Sequence, residues 1–582
     1  MHPPSSSSSL SSSSSSACLL LLLLLISTAS AALVRYDLDI SYVQNVNADG
    51  HASRRVIGVN GKWPPPKLIA NYNDTLVVNV HNSLDVPTAL HSHGMFFNKT
   101  NYFDGAAGVT QCGIPPGSTF TYEIPLQQWG TYWYHAHVRG QYLDGFRGAL
   151  IINPPPTAQL AKYDHEYTLI LHDWYHDEFD TVMKDYGGIF NVRGVEPPPN
   201  SGIVLIMNGT DYVPKMTFIP NKTYRIRVIN MAGFAMFTMG IGGHDMDVIE
   251  VDGVDTEPKT ASNIEIGVAQ RYSVLVKAKN TTDTNYKVAI KMDDSMFAVI
   301  PPTLSLDLTA LIEYSPTAPT ADTAPSSTDV LDDTTLAPLV KQASVAPDVS
   351  HDLNVFLGVL DDGINHGMFN NNTYVPPLTP TLLSALTTGQ DATNPAIYGK
   401  QTNAIVLEHN KMVQLVVNND DGGSHPFHLH GHRFQIVYRN ETRYDPTQPI
   451  PDQPNPIRRD TVQIPAFGSA VIRFRSDNPG VWLFHCHIQW HMEVGLVATL
   501  IEAPLEMQKT ISPPPFIGSQ CAALGKPTSG NAAGKQGLDL AGAPDGPHNL
   551  SGKFEAKGIV ALVGTIVSAV LGMGVVVWFA KE

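Results

Sequence analysis

Basic side chains are in short supply in this chain, which has 37 Lys and Arg against 53 Asp and Glu and a formal net charge of -16. Recognition of nucleic acid requires a basic face, so we expect no nucleic-acid partner. An acidic surface suits solubility and mildly favours a small cationic substrate. The 582 residues are enough for about two to four domains, because single cores stop growing above roughly 250 to 300 residues.

Cysteine is scarcer still, with 4 in the whole chain. Cys18 lies in a leader that we expect to be removed, and Cys486 lies among histidines. Cys112 and Cys521 remain, and in an oxidising compartment we expect them to form one disulfide. That bond would tie the end of the soluble part to its first third.

Uncharged apolar runs mark the two ends of the chain. Residues 1–31 are typical of a secretory signal peptide, because the run from Ala17 to Ile26 is too short for a bilayer, which takes ~20 residues, and Ala29-Ser30-Ala31 fits a cleavage site. Its start is poly-Ser and lacks Lys and Arg. Eight N-x-[ST] sequons, which are glycosylation acceptors, also indicate secretion.

The run from Gly558 to Ala580 is long enough to cross a hydrocarbon core of ~30 Å. We therefore expect a single-pass protein of the cell membrane with an extracellular body. Because only Lys581 and Glu582 follow this run, a GPI anchor is the alternative, with small residues at 541–543 or 551–552 as candidate cleavage sites.

Between the two ends, short Val, Ile, Tyr and Phe runs punctuated by Gly, Pro and Asn predict strands, and hence an all-β fold of β-sandwiches. Composition divides the chain further. The predicted units are domains at 32–156, 157–315 and 347–510, a linker at 316–346, a flexible stalk at 511–557 and a transmembrane helix at 558–580.

Histidine is concentrated in four short motifs. They are His91-Ser92-His93, His135-Ala136-His137, His428-Leu429-His430 and His485-Cys486-His487. With His425 and His491 they hold ten of the 22 histidines, and we interpret the others, such as His432, as ordinary core or surface histidines. Because the motifs lie in the first and third domains, two distant parts of the chain are predicted to build one site.

Strand geometry predicts how these side chains divide. Side chains two residues apart on a strand lie on the same face, and those of neighbours lie on opposite faces. The side chain of Cys486 is therefore predicted to point away from those of His485 and His487. Two imidazoles and one thiolate are the ligand set of a blue copper centre, for which we choose His425, Cys486 and His491. The eight other histidines can hold about three further coppers, because imidazole suits copper better than magnesium or calcium.

The order and spacing of the four motifs resemble those of the multicopper oxidases over most of residues 35–505. The resemblance implies three cupredoxin-like Greek-key domains and four copper ions. A type 1 copper would take single electrons from substrate, and a type 2 copper with a type 3 pair would reduce O2 to water. The implied ligands are His91 and His428 for type 2, His93, His135 and His487 for one type 3 copper, and His137, His430 and His485 for the other.

Leu496, ten residues after Cys486, stands where some members of that family place an axial Met. An apolar side chain cannot donate to the metal, so the resemblance predicts a higher potential for the type 1 copper than with Met.

Within the family, the chain most resembles the fungal membrane-anchored ferroxidases. The stretches that carry this likeness include Asn101-Tyr-Phe-Asp-Gly, Arg458-Arg-Asp-Thr, Asp477-Asn-Pro-Gly-Val-Trp and the C-terminal anchor. The likeness implies oxidation of extracellular Fe2+ with O2 for iron uptake, beside an iron permease in the same membrane. Glu196, Asp421 and Tyr374 match the family's iron-site pattern.

Two positions depart from that pattern. Ala298 stands where a further Asp is expected, with Asp293 or Asp294 as possible substitutes. Gln489 stands where many members have an acidic residue that delivers protons, which Gln cannot do. Asp104, which matches an acidic residue near the type 2 copper, would then carry more of the proton supply.

Two alternatives stay open. Ala298 favours a laccase-like oxidase of phenols or aromatic amines. A non-catalytic copper-binding surface protein is a hypothesis of another class, but degenerate relatives lose ligands, and this chain keeps all eleven.

Overall fold

The computed structural model describes residues 31–547 and 556–581. Within this part of the chain the strands form six sheets, two from each of three successive segments. The expectation of an all-β, cupredoxin-like fold is confirmed, whereas the domain boundaries stay a prediction. The predicted leader, apart from its last residue, lies outside the described residues.

The first segment forms two four-stranded sheets, ordered β2-β1-β4-β6 and β3-β8-β7-β5. The strands are β1 Leu33–Val46, β2 Arg54–Val59, β3 Leu68–Asn71, β4 Thr75–Asn82, β5 Leu90–His93, β6 Thr119–Pro125, β7 Gly130–Ala136 and β8 Arg147–Asn153. In β6, Phe120, Tyr122 and Ile124 point inward and alternate with more exposed residues, whereas β7 is buried along its whole length. A strand covered on both faces is a suitable place for metal ligands that must be kept from water.

The second segment forms a seven-stranded sheet, β11-β10-β9-β13-β18-β15-β16, and a sheet ordered β12-β20-β19-β14-β17 with β21 beside β19. Its elements are β9 His165–Trp174, α1 Phe179–Tyr186, β10 Ser201–Asn208, β11 Asp211–Val213, β12 Met216–Thr217, β13 Thr223–Asn230, β14 Phe237–Ile241, β15 Met246–Val251, β16 Val254–Ala261, β17 Asn263–Ile266, β18 Arg271–Lys277, β19 Asn285–Met292, β20 Asp307–Glu313 and β21 Thr320–Ala321.

The third segment forms sheets ordered β23-β22-β25-β30-β27-β28 and β24-β32-β31-β26-β29. Its elements are β22 Val349–Val359, β23 Asn365–Phe369, α2 Thr381–Thr387, β24 Ala404–Leu407, β25 Met412–Asn419, β26 His425–Leu429, β27 Phe434–Asn440, β28 Arg458–Arg459, β29 Thr461–Ile464, β30 Ser469–Arg475, β31 Gly480–Cys486, α3 Gln489–Glu493, β32 Val497–Glu502 and α4 Pro504–Thr510. Short 3-10 helices lie at Asn101–Phe103, Asp333–Thr335, Gly389–Thr393, Pro395–Tyr398 and Lys400–Thr402.

The segment predicted as a linker, residues 316–346, runs along both neighbours. Its strand β21 pairs with β19, and the amide of Leu339 donates to the carbonyl of Asp255 at 2.9 Å. Further along, the amide of Ser344 donates to the carbonyl of Gln453 at 2.8 Å. The segment therefore joins the second and third segments through backbone hydrogen bonds.

Within the segment predicted as a flexible stalk, residues 511–532 pack on the rest of the protein. Helix α5, Pro515–Ala523, carries Cys521, which forms the predicted disulfide with Cys112. Ala532 is fully buried and exchanges backbone hydrogen bonds with Leu378 and Ile397. A Gly- and Ala-rich composition suggests flexibility, but here backbone hydrogen bonds and the disulfide hold this stretch against the body.

Helix α6, Ala556–Phe579, contains an apolar stretch, Gly558–Phe579, with a mean hydropathy of 2.5 and no burial against the rest of the protein. By length and composition it is a candidate membrane anchor. Of the two candidate GPI cleavage sites, the one at 551–552 lies outside the described residues.

Candidate metal centre

Antiparallel strand pairing places the histidine motifs side by side. In the first segment, His91 of β5 lies opposite His135 of β7. In the third segment, His428 of β26 lies opposite His485 of β31. The two motifs in each segment are more than 40 residues apart in sequence, and the strand register brings their imidazoles together.

The two segments then meet through these imidazoles. The rings of His93 and His428 stack with centroids 3.7 Å apart, and those of His91 and His430 stack at 4.1 Å. All eight histidines of the motifs are buried in this imidazole cluster. Groups whose ligand atoms lie within 4.8 Å of one another are His91, His93 and His428; His93, His135 and His487; and His137, His430 and His485.

The nitrogens of the imidazole cluster test whether metals fit. One nitrogen of most rings is held by an oxygen, as in His135 Nδ1 to the Ala136 carbonyl at 2.9 Å and His485 Nδ1 to the Cys486 carbonyl at 2.9 Å. A nitrogen is buried without a partner among the described residues in His91, His93, His135, His137 and His428, and in His487 both ring nitrogens are. A ring oriented by one nitrogen, with a buried lone pair on the other, is the arrangement of a metal-ligating histidine. The cluster therefore fits metal ions.

The protonation states agree with this fit. Burial lowers the pKa of these imidazoles well below its ordinary value, and neighbouring imidazoles lower it further; the rings concerned are His93, His135, His137, His428, His430 and His487. Burial lowers the pKa of His485 to about 4. Neutral imidazoles are the form that binds metal.

Two fully buried carboxylates lie behind the imidazole cluster. Asp104 accepts a hydrogen bond from His430 Nδ1 at 3.0 Å, and its backbone carbonyl accepts one from His91 Nδ1 at 2.7 Å. Asp460 lies 3.2 Å from His93 Nε2, and its carbonyl accepts from His428 Nδ1 at 2.9 Å. Sequence reasoning gave no role to Asp460, although it lies in the quoted Arg458-Arg-Asp-Thr stretch.

A second group, the sulfur group, consists of His425, Cys486 and His491. The Cys486 Sγ lies 3.6 Å from His425 Nδ1 and 3.5 Å from His491 Nδ1, and these two nitrogens are 3.0 Å apart. Burial alone would raise the pKa of the Cys486 thiol, but the imidazoles of His491 and His425 lower it to about 7. The group thus favours a thiolate between two imidazoles, which is a soft donor set suited to copper.

Cys486 lies in the sulfur group while its neighbours His485 and His487 lie in the imidazole cluster. The two groups are therefore joined by one residue of backbone at the end of β31. Leu496 is fully buried, and its carbonyl accepts the Cys486 amide at 3.2 Å.

Two partly exposed carboxylates border the sulfur group on its outer side. Glu196 lies 3.2 Å from His491 Nε2, and Asp421 lies 3.1 Å from His425 Nε2. Their side chains are 21% and 26% exposed. Burial raises the pKa of Asp421, but the hydrogen bond and charge of His425, together with the Gly423 amide and the charge of His491, outweigh this, and the net pKa lies below the ordinary value.

The remaining predicted residues lie elsewhere. Tyr374 and Gln489 line a cavity of about 370 Å³ that reaches His137. The Tyr374 hydroxyl is buried without a hydrogen-bond partner among the described residues, so it is not joined to Glu196 or Asp421. Ala298 is exposed, on a loop whose Phe297 packs against Phe234.

Of the two candidate substitutes for the missing Asp, Asp293 accepts a hydrogen bond from the amide of Ser295 at 2.8 Å. The carbonyl of Asp294 accepts the amide of Phe297 at 2.9 Å. These contacts stabilise the local turn, and neither joins an aspartate to the sulfur group.

Comparison with known proteins agrees with this geometry. Three family models, each described as multicopper oxidase, match residues 41–157, 165–317 and 374–506. The iron multicopper oxidase fer1 of Mycosarcoma maydis is 43% identical, over 95% of this chain and 94% of its own length. The chain therefore belongs to the multicopper oxidases, which are copper-dependent oxidoreductases.

Among solved structures, the chain resembles Fet3p, described as a multicopper oxidase that functions in iron import. The TM-score is 0.84 and the identity 37%, covering 89% of this chain and all of that one. A laccase from Botrytis aclada is also similar, with a TM-score of 0.72 and 28% identity over 85% of this chain and 92% of the laccase. The similarity is thus stronger to a protein of iron import than to a laccase.

Proposed function

We propose that the protein is a multicopper ferroxidase that oxidises Fe2+ to Fe3+ and reduces O2 to water. The observation that carries the proposal is the pair Glu196 and Asp421, each within 3.2 Å of an outer ring nitrogen of the sulfur group. Carboxylate oxygens bind Fe2+, and they bind the harder Fe3+ more tightly, so they favour the loss of an electron from iron. A carboxylate that also contacts a ligand imidazole would place iron next to the electron acceptor.

The proposed copper ligands follow from the grouping of the side chains. His425, Cys486 and His491 would hold the type 1 copper, and the buried Leu496 beside them would offer it no donor atom. His91 and His428 would hold type 2, and the two type 3 coppers would take His93, His135 and His487 and His137, His430 and His485. When bound, the four coppers supply one-electron oxidation of iron and four-electron reduction of O2.

The protein's own groups would serve this reaction in three ways. Glu196 and Asp421 would bind and orient iron at the partly exposed face. The buried walls of the imidazole cluster keep bulk water away from the oxygen chemistry. Asp104, hydrogen-bonded to His430, would hold and move a proton, because Gln489 cannot.

The location and partner are part of the proposal. The apolar helix α6 would anchor the protein in the cell membrane with its body outside the cell, as the predicted leader and the sequons suggest. An iron permease in the same membrane would receive the Fe3+. The relatives that are named for iron transport support this placement.

A laccase-like oxidase is the second candidate. Its supporting observation is the loop where Ala298 replaces the expected Asp, and where Val299 and Ile300 are also exposed. An exposed apolar loop of this kind suits an aromatic substrate better than a cation.

A direct comparison of substrates tests both functions. With the full chain in detergent, kcat/KM is measured for Fe2+ and for a phenol. We expect iron to be preferred, and Glu196→Ala to lower kcat/KM for iron by roughly 10-fold or more, about 1.4 kcal/mol, without affecting the phenol. Glu257→Ala, at an exposed position of β16, is the matched control.

A phenol preference of orders of magnitude would overturn the ferroxidase in favour of the laccase. Metal analysis finding far fewer than four coppers per chain, without blue colour, would instead support the non-catalytic copper-binding protein.

A further inference from the structure

The second segment of the chain supplies no histidine to either metal group, yet one of its side chains reaches a carboxylate that contacts the imidazole cluster. Arg271 begins strand β18 and is fully buried. Its guanidinium donates from Nη1 and Nη2 to the two carboxylate oxygens of Asp460, at 2.7 and 2.6 Å. This paired geometry is the strongest that an arginine makes with a carboxylate.

Asp460 in turn holds two imidazoles, one from the first segment and one from the third. Its Oδ1 accepts from His93 Nε2 at 3.2 Å, and its backbone carbonyl accepts from His428 Nδ1 at 2.9 Å. The opposite nitrogens, His93 Nδ1 and His428 Nε2, are buried and have no partner in the described part of the chain. The position of Asp460 therefore decides where these two lone pairs point.

We propose that Arg271 is a positioning residue for the oxygen-reducing cluster: it fixes Asp460, and through Asp460 the rings of His93 and His428. The inference rests on the proposed assignment of these histidines to copper. It gives the second segment, which contributes no ligand, a role in holding the type 2 and type 3 sites. Arg271 touches no ligand itself and acts only through Asp460.

Arg271 is itself held from several directions. Its Nε donates to the carbonyl of Thr131 in the first segment at 3.0 Å, and its amide donates to Asp252 at 2.9 Å. Asp252 is paired on its other side with the buried Arg459 at 2.8 Å. The guanidinium thus lies where all three segments meet, and it has little freedom to move.

The residue after His93 shows how closely this ion pair approaches the cluster. Gly94 has φ +87°, and a Cβ there would lie 2.7 Å from both Arg271 Nη2 and Asp460 Oδ2. Only glycine leaves room for the pair at this point. The glycine that ends His-Ser-His-Gly is therefore required by the ion pair of Arg271, which lies nearly two hundred residues further along the chain.

Removing one partner of a buried ion pair leaves the other charge uncompensated, which is more damaging than the pair is stabilising. Without Arg271, the Asp460 carboxylate would lose the partner that holds both of its oxygens and would turn away. That change would free the ring of His93 and remove the carboxylate oxygen that lies 3.6 Å from His428 Nδ1, while the Asp460 carbonyl would keep its hydrogen bond to His428. Changing the group behind a ligating histidine typically lowers metal affinity by 10- to 100-fold. The sulfur group, which Arg271 does not approach, would be unaffected.

The test compares Arg271→Met, Arg271→Lys and Arg227→Met in the full-length, copper-loaded protein. Arg227 is an equally buried arginine of the second segment, paired with Glu166 at 2.8 Å and bonded to Thr131 Oγ1 at 2.7 Å, but it contacts no carboxylate behind a histidine. It therefore controls for loss of a buried charge and of contact between segments.

Three quantities are measured: copper per chain during titration with a chelator, the type 2 electron paramagnetic resonance spectrum, and the blue absorbance of the type 1 site. We expect Arg271→Met to lose type 2 copper at roughly 10- to 100-fold lower chelator concentration, with an altered type 2 spectrum and unchanged blue absorbance. Arg271→Lys, which keeps the charge but not the paired geometry, is expected to give an intermediate shift. Arg227→Met should leave all three unchanged.

A type 2 spectrum and copper retention equal to the parent's in Arg271→Lys and Arg271→Met would overturn the inference, as would equal losses in Arg227→Met. If Arg271→Met does not fold, Arg271→Lys decides alone, by a shift or its absence. Failure of the parent protein to show type 2 and type 3 copper would be different, because it would overturn the proposed function and not the role of Arg271.

Discussion

The two metal-binding groups differ most in the carboxylates behind their histidines. In the imidazole cluster, Asp104 and Asp460 are fully buried and lie between segments. In the sulfur group, Glu196 and Asp421 occupy the same chemical position on His491 and His425 but are 21% and 26% exposed. One pair orients ligands within a closed site, and the other pair also faces solvent.

The ring nitrogens differ in the same sense. In the sulfur group both histidines turn Nδ1 towards the sulfur and Nε2 towards the surface. In most of the imidazole cluster Nδ1 is held by an oxygen and Nε2 points inward. Histidine therefore contacts partly exposed carboxylates in the sulfur group, whereas in the imidazole cluster it lies in a closed, buried site. In the proposed function, this difference would separate electron uptake from oxygen reduction.

Cutting the link between the two groups should have the largest effect. Cys486→Ser removes the thiolate while leaving His485 and His487 in place. We expect iron-driven O2 consumption to fall by roughly three orders of magnitude, about 4 kcal/mol in barrier, with loss of blue absorbance. Copper analysis should find about three coppers per chain. Retention of more than a tenth of the activity would show that electrons reach the cluster by another route.

Changing a buried carboxylate should affect the imidazole cluster and leave the sulfur group unchanged. Asp104→Asn keeps the shape but removes the charge and proton capacity behind His430. We expect a 10- to 100-fold lower rate of O2 reduction, measured as reoxidation of the fully reduced protein, with unchanged blue absorbance. The exposed Asp85→Asn is the control. If both variants reoxidise at the parent rate, Asp104 has no part in proton supply.

Sequence patterns predict those features of the two metal-binding groups that depend on residues close together in the chain. Strand alternation separates Cys486 from His485 and His487, and the structure places them in different groups. The Cys112–Cys521 disulfide follows from counting cysteines. What the sequence does not reveal are contacts between distant segments: Asp460 against His93, Arg271 against Asp460, and the packing of residues 511–532. No periodicity signals them, because each depends on how completed sheets dock.

Changing an exposed carboxylate should affect one substrate only. Asp421→Asn keeps a hydrogen-bonding group beside His425 but loses the charge that attracts iron. We expect kcat/KM for Fe2+ to fall by about 10-fold, while that for a phenol stays within about twofold. Asp420→Asn is the control, since that carboxylate is exposed and pairs with Arg443. An equal loss for both substrates would mean that Asp421 only orients His425.

The smallest effect is expected at Leu496, which is buried beside the sulfur group and whose amide donates to the His491 carbonyl at 3.0 Å. Leu496→Met conserves volume, so it should cost less than about 1.5 kcal/mol of stability. A thioether at this position can donate to the metal and stabilise Cu(II), which lowers the potential of the type 1 copper.

Redox titration of the blue absorbance measures this potential, with Leu500→Met, at a buried leucine of β32, as the control. Because the change touches only the sulfur group, reoxidation by O2 should stay at the parent rate while the potential falls. An unchanged or higher potential would show that Leu496 does not lie on the axial side of the sulfur group.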